Sequence, residues 1–192
     1  MNIEKREKFI QILCVIIVAA AIVWYFTPAP TAAARYAWEK YHASSFALAL
    51  DRTDASLAFN IGNRAFGGSS YDTALAERAL RKAVAIDSGL LFGHYQLARV
   101  LFARGKFEEA AAEIEKELGY NPGNLRALYV RGLIRAYDKD LAGAASDFQR
   151  FTEWAPAEWA GYNDLAWVLA QEGKYKEAKS ALERGFKKAT SA

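Results

Sequence analysis

The 192-residue sequence is poor in the residues that staple, break or ligate. It has one cysteine, Cys14, so no disulfide closes within the chain and no cysteine-based metal site can be assembled. Only four prolines occur, Pro28, Pro30, Pro122 and Pro156, and alanine is abundant. Proline costs most in a helix and alanine least, so this balance favours helices. Histidine is limited to His42 and His94. His94 falls in an apolar helical pattern and reads as a core residue, and His42 lies far in sequence from any paired nucleophile. Gly67–Ser70 (GGSS) lacks the following lysine that a phosphate loop uses, and neither a HExxH helix nor a GxSxG elbow is present. These absences leave no catalytic constellation: the chain reads as a non-enzyme, with no cofactor and no metal. Net charge is small as well. The formal +3 includes +1 from Lys5, Arg6 and Lys8 set against Glu4 and Glu7. The remaining +2, spread over residues 35–192, is too little for a nucleic-acid surface.

What is present begins with a long uncharged run. Phe9–Phe26 (FIQILCVIIVAAAIVWYF) has one strongly polar residue, Gln11, and its 18 residues as a helix span about 27 Å, close to a bilayer core. Lys5, Arg6 and Lys8 precede it and Trp24, Tyr25 and Phe26 close it, the arrangement of a cytoplasmic amino terminus and an aromatic belt at the far interface. The expectation is a cytoplasmic segment 1–8, a transmembrane helix 9–26 that attaches the chain to a membrane, and a domain on the outer side, periplasmic or extracellular. The competing reading is a cleaved signal peptide with Ala32–Ala34 as its small-residue site and a secreted product. Residues 27–34 (TPAPTAAA) predict a short extended linker, because proline disfavours helix for the residue before it.

Beyond the linker one period recurs. The amphipathic windows Leu57–Phe66, Gly93–Phe102, Ala127–Ala136 and Gly161–Ala170 each carry a small residue at the same place: Gly62, Ala98, Gly132 and Ala166. The last three are 34 residues apart. So are Gly105, Lys139 and Gly173; Phe107, Leu141 and Tyr175; Ala110, Ala144 and Ala178; Ile114, Phe148 and Leu182; and Ser88, Pro122 and Pro156. Small residues admit a neighbouring helix, large ones fill the gaps, and proline stops the second helix. The pattern resembles the tetratricopeptide repeat (TPR) family over about Ala55 to Ala189, and implies an all-α, helix–turn–helix solenoid. The expected units are a capping half-repeat helix at 35–54 and repeats at 55–90, 91–124, 125–158 and 159–192. The first repeat is 36 residues long, with its extra residues placed at the Gly67–Ser70 turn or in an elongated second helix over Tyr71–Ile86. The chain stops soon after its last second helix, where a solenoid ordinarily has a polar cap. Lys174, Lys176, Lys179, Lys187 and Lys188 keep that helix soluble.

The resemblance implies a concave groove lined by the first helices. In the same register its positions are Phe59, Asn63 and Phe66; Tyr95, Arg99 and Phe102; Tyr129, Leu133 and Ala136; Asn163, Trp167 and Ala170. Aromatics and arginine anchor interfaces, so the implied partner is a protein or peptide, extended or helical. The chaperone-tail clamp of some TPR domains needs a lysine where Phe59 stands, although Asn63 matches. Arg131 and Arg135 occupy slots where the family pattern has large apolar residues. Each needs a carboxylate, Asp164 or Asp147, as a structural ion pair, or else they capture an anion on a ligand. The function implied is a membrane-anchored adaptor, in envelope assembly for example; the alternative is a homo-oligomer that self-associates through its final helix or its transmembrane segment.

Overall fold

The computed structural model describes residues 29–67 and 71–189. Among them the chain forms ten helices and no strand: α1 (Ala29–Tyr41), α2 (Ser44–Leu50), α3 (Ala55–Gly67), α4 (Thr73–Ile86), α5 (Gly93–Ala103), α6 (Phe107–Tyr120), α7 (Leu125–Tyr137), α8 (Leu141–Trp154), α9 (Trp159–Gln171) and α10 (Tyr175–Ala189). Consecutive helices pair as hairpins, α3 on α4, α5 on α6, α7 on α8 and α9 on α10, and each hairpin leans on the next. Leu57, Ile61, Leu80, Leu97, Leu101, Ile114, Ile134, Phe148 and Leu165 form the almost wholly buried spine between them.

The small residue of each first helix sets how closely its partner approaches. A Cβ on Gly62 would stand 2.6 Å from Leu80 Cγ, and one on Gly132 would stand 2.7 Å from Phe148 Cε1. Neither site has room for a side chain without displacing its neighbour. Helix starts are marked by side-chain caps: Asp72, Asn124 and Asp140 accept from the amides of Leu75, Ala127 and Gly143. The three-residue turns within the hairpins place Gly105, Lys139 and Gly173 at φ of 72°, 67° and 76°. Glycine is at home in that left-handed region, so Lys139 holds a glycine's position under strain.

Three expectations change. The extended linker over 27–34 gives way to helix from Ala29 onward. Pro30 falls in the first turn, where its missing N–H has no intrahelical partner to lose, and the following alanines are strong helix formers. Ala34 is fully buried in a cluster with Ala47, Leu48 and Leu57. The single capping helix of 35–54 is instead two helices, α1 and α2, broken at His42, whose φ is 52°. Lys82 of α4 ties this unit down by donating from Nζ to the carbonyls of Leu48, at 2.6 Å, and Asp51. The extra residues of the first repeat lie between Gly67 and Thr73, an interval of five residues where the other hairpins have three. α4 has 14 residues, as do α6 and α8, so its length is unaltered. The expected transmembrane helix 9–26 lies outside the described residues, and among those described no helix is long and apolar enough to cross a membrane.

Candidate partner-binding groove

Positions i, i+4 and i+7 of a helix share a face, so α5 presents Tyr95, Arg99 and Phe102 along one side. Two cavities open on the groove side of the first helices. One, of about 590 Å³, is walled by Phe102 of α5, Leu133, Ala136 and Tyr137 of α7 and Trp167 of α9, with Phe148 behind them; Lys139 and Asp164 are its charged residues. The other, of about 550 Å³, lies between Phe59 and Asn63 of α3, Tyr95 and Gln96 of α5, and the Asn121–Arg126 segment that leads into α7. Seven of the expected groove residues therefore line a cavity: Phe59, Asn63, Tyr95, Phe102, Leu133, Ala136 and Trp167. Trp167 is 48% exposed, while Tyr95 is 8% exposed.

Phe66, Arg99, Tyr129 and Asn163 act on their neighbours. The Arg99 guanidinium carbon sits 5.1 Å from the centre of the Phe66 ring and 5.6 Å from that of Tyr95, within cation–π range of both. Arg99 also donates to Gln96 Oε1 at 2.8 Å. The Tyr129 hydroxyl donates to Asp164 Oδ2 at 2.6 Å, and Asn163 Nδ2 lies 3.4 Å from Asp164 Oδ1. Burial and the adjacent Asp164 carboxylate together push the Tyr129 pKa well up, so its hydroxyl stays a neutral donor.

Arg131 and Arg135 converge on Asp147, not on Asp164. Arg131 donates from Nε at 2.9 Å and from Nη2 at 2.7 Å to the two Asp147 oxygens, and Arg135 donates from Nη1 at 2.8 Å. Asp147 itself is 1% exposed. The Asp147 hydrogen bonds outweigh burial and raise the Arg131 pKa, holding the guanidinium charged. Asp164 is instead engaged by Tyr129, because α9 places it at the groove and Asp147 of α8 lies behind α7. A carboxylate recurs 34 residues earlier: buried Glu113 of α6 meets His94 Nδ1 at 2.5 Å and Lys116 Nζ at 2.8 Å. The other His94 nitrogen faces the Ser88 carbonyl at 3.0 Å. Burial works against the charged Glu113, but the bonds from Lys116 and His94 outweigh it and keep its pKa below the ordinary carboxylate range. Glu117 joins three helices, accepting from the Tyr95 amide at 3.1 Å and from Asn124 Nδ2 at 2.9 Å. These second-helix carboxylates fix the backs of the groove helices and leave their faces free to differ.

Residues 91–116 and 160–187 each match a family model described as a tetratricopeptide repeat. These two segments are TPR repeats. A stretch of 70 residues is 39% identical to human Tetratricopeptide repeat protein 34, covering 36% of this chain but 12% of that protein, so the chain spans only a small part of that relative. Among solved structures, MamA superposes with a TM-score of 0.70 at 17% identity, over 78% of this chain and 86% of that one. YrrB, described as a TPR protein with an unusual peptide-binding site, superposes at 0.65 with 22% identity, over 77% of this chain and 75% of that one. At these identities the likeness is one of fold: an all-α TPR solenoid.

Several lining residues escape the first-helix TPR register. Tyr137 and Lys139 come from the end of α7 and its turn, and Gln96 neighbours a register position. Arg126 precedes the first register position of α7 by three residues, one helical turn, and that spacing is the sequence signal that would have found it.

Proposed function

We propose that this chain is a TPR scaffold that binds a protein or peptide partner in its concave groove, and that residues 9–26 tether it to a membrane with the repeats on the outer, periplasmic or extracellular side. The carrying observation is that three successive first helices, α5, α7 and α9, contribute Phe102, Leu133 and Trp167 to one accessible cavity beside fixed polar groups. Exposed aromatic rings around a concave, partly polar site are the usual anchors of an interface. The helix-pair fold supports the reading because it presents such a face while the second helices absorb the buried charge. The apolar run 9–26 and the basic residues before it support the tether.

Two experiments test it. A photo-crosslinking amino acid at position 167 in living cells is expected to trap a partner that the same residue at Glu115, on α6 outside the groove, does not trap. Equal products at both positions, or none at 167, would remove the groove from the reading. Protease added to intact cells should leave the repeats uncut until the outermost barrier is opened; a repeat domain still protected then, with the cytoplasmic membrane sealed, would place it inside. Self-association is a second reading, favoured by Tyr175, Leu182 and Phe186, which α10 exposes at 70%, 39% and 66%. Sedimentation as a strict monomer at every concentration would sink it.

A further inference from the structure

Resting on the reading of the groove as a partner-binding surface, we propose that the cavity between α5, α7 and α9 takes a basic side chain of that partner, lysine or arginine, held over Trp167 and against the Asp164 carboxylate. The walls suit a cation. Phe102, Tyr137 and Trp167 bring three aromatic rings to one cavity, with Tyr137 57% and Trp167 48% exposed. Ring faces attract cations, indole most strongly. Asp164 stands three residues before Trp167 on α9, hence on nearly the same helix face. Its carboxylate is held by neutral donors, Tyr129 at 2.6 Å and Asn163 at 3.4 Å, so hydrogen bonding positions the negative charge without cancelling it.

The groove already holds one guanidinium in this manner. Arg99 lies over Phe66 and Tyr95, with the Gln96 amide oxygen as its acceptor. One and two repeats on, the register successors of Arg99 are Leu133 and Trp167, which are neutral. Phe102, Tyr137 and Trp167 supply rings at the later cavity and Asp164 an acceptor, while neither register successor of Arg99 sends a cation between them. The cavity's own cation, Lys139, sits on the exposed α7–α8 turn. Its ammonium rides on a flexible, strongly hydrated stem and turns to solvent at little cost. Asp164 is fixed and sets the sign. A neutral side chain of similar size would fill the walls but strip water from that carboxylate without replacing it, and an acidic one would meet repulsion.

The test uses the full chain, labelled with nitrogen-15, and follows the Trp167 indole N–H resonance, identified by its loss in Trp167→Phe. The probes are the blocked single residues N-acetyl-arginine, N-acetyl-citrulline and N-acetyl-norleucine methylamides, titrated through the millimolar range. Arginine is expected to bind at least tenfold tighter than citrulline, its neutral near-isostere, and the preference should shrink as salt rises. Asp164→Asn should abolish the preference, and Lys139→Gln should strengthen arginine binding severalfold. Citrulline or norleucine shifting the resonance as strongly as arginine would overturn the proposal, as would a preference that survives Asp164→Asn. If no probe moves the resonance, the cavity does not take side chains of this size and the proposal also fails. The wild-type comparison decides the charge preference even where a variant fails to fold, and Asp164→Asn then assigns that preference to its carboxylate. The wider groove reading is judged separately, by crosslinking at position 167, and survives a result in which norleucine binds and arginine does not.

Discussion

Replacing Asp147 with asparagine asks whether Arg131 and Arg135 hold the fold together. Asp147 accepts three charge-assisted hydrogen bonds at 2.9, 2.7 and 2.8 Å from these two arginines. Its side chain is 2% exposed, against 18% for Arg131 and 34% for Arg135. Removing one partner of a buried pair costs about 3–5 kcal/mol where the charge left behind is neither solvated nor paired; here Arg131 keeps Glu115 at 3.4 Å and Arg135 keeps Asp140 at 3.7 Å. Two features move the expectation to the low end. Arg135 is about one-third exposed and regains water, and the asparagine oxygen still accepts one bond. The expected loss is about 3 kcal/mol. At about 2–4 °C per kcal/mol for a chain of this size, the midpoint should fall by about 6–12 °C. Urea unfolding of the full chain followed by circular dichroism reads the loss, with an unchanged slope showing that only stability moved. A loss below about 1 kcal/mol, the value of a surface pair, would refute the reasoning. Arg131→Leu supplies the opposite check: full stability together with lost partner capture would make the arginines a ligand site after all.

Acid should unfold the protein through Glu77 and Glu113. Burial opposes their charge, but Lys106 and Arg81 at Glu77, and Lys116 and His94 at Glu113, bring both pKa values below the ordinary range. The unfolded chain then binds these protons more tightly, so the stability they confer is complete above about pH 5 and is lost as pH falls further. Midpoints measured from pH 7 to pH 3 should decline less steeply in the double variant Glu77→Gln, Glu113→Gln; an unchanged acid limb would contradict this. Gly132→Ala should cost about 1–3 kcal/mol despite the better helix propensity of alanine, because its Cβ meets the Phe148 ring at 2.7 Å. In α6, where a Cβ on Gly119 meets nothing within 4 Å, Gly119→Ala should instead gain up to about 1 kcal/mol; equal effects at both glycines would mean that packing is not what limits position 132. Lys139→Gly should add about 1 kcal/mol by relieving a φ of 67°, visible as a raised thermal midpoint, and a lowered one would remove strain from the account of that turn.

The 34-residue spacing of small, large and turn residues already contained the hairpins, because each slot answers to contacts within a repeat or with the next one. Gly62 and Gly132 were recognisable as close-approach sites for that reason, and Lys139 was marked by the glycines that flank it one repeat away on either side. The amino-terminal unit was harder. Proline taken alone argues against helix at 29–34, and only the burial of Ala34 against α2 and α3 shows what holds that turn in place. The two helices of the cap likewise turn on one residue, His42, in a conformation that no periodicity announces.

By itself the sequence determined the repeat, the first-helix faces and the need of Arg131 and Arg135 for a carboxylate, since periodicity and the cost of burying charge are local and general. Which carboxylate answers was decided by tertiary structure: Asp147 and Asp164 are both within reach of a sequence argument, and only the placement of α8 behind α7 and of α9 at the groove separates them. The same placement turned Arg99 from an open groove cation into one stacked on Phe66 and Tyr95, and brought Tyr137 and Lys139 beside Trp167. A repeat can be read along one dimension. A cavity is made by residues from three helices, and their distances exist only once the helices are packed.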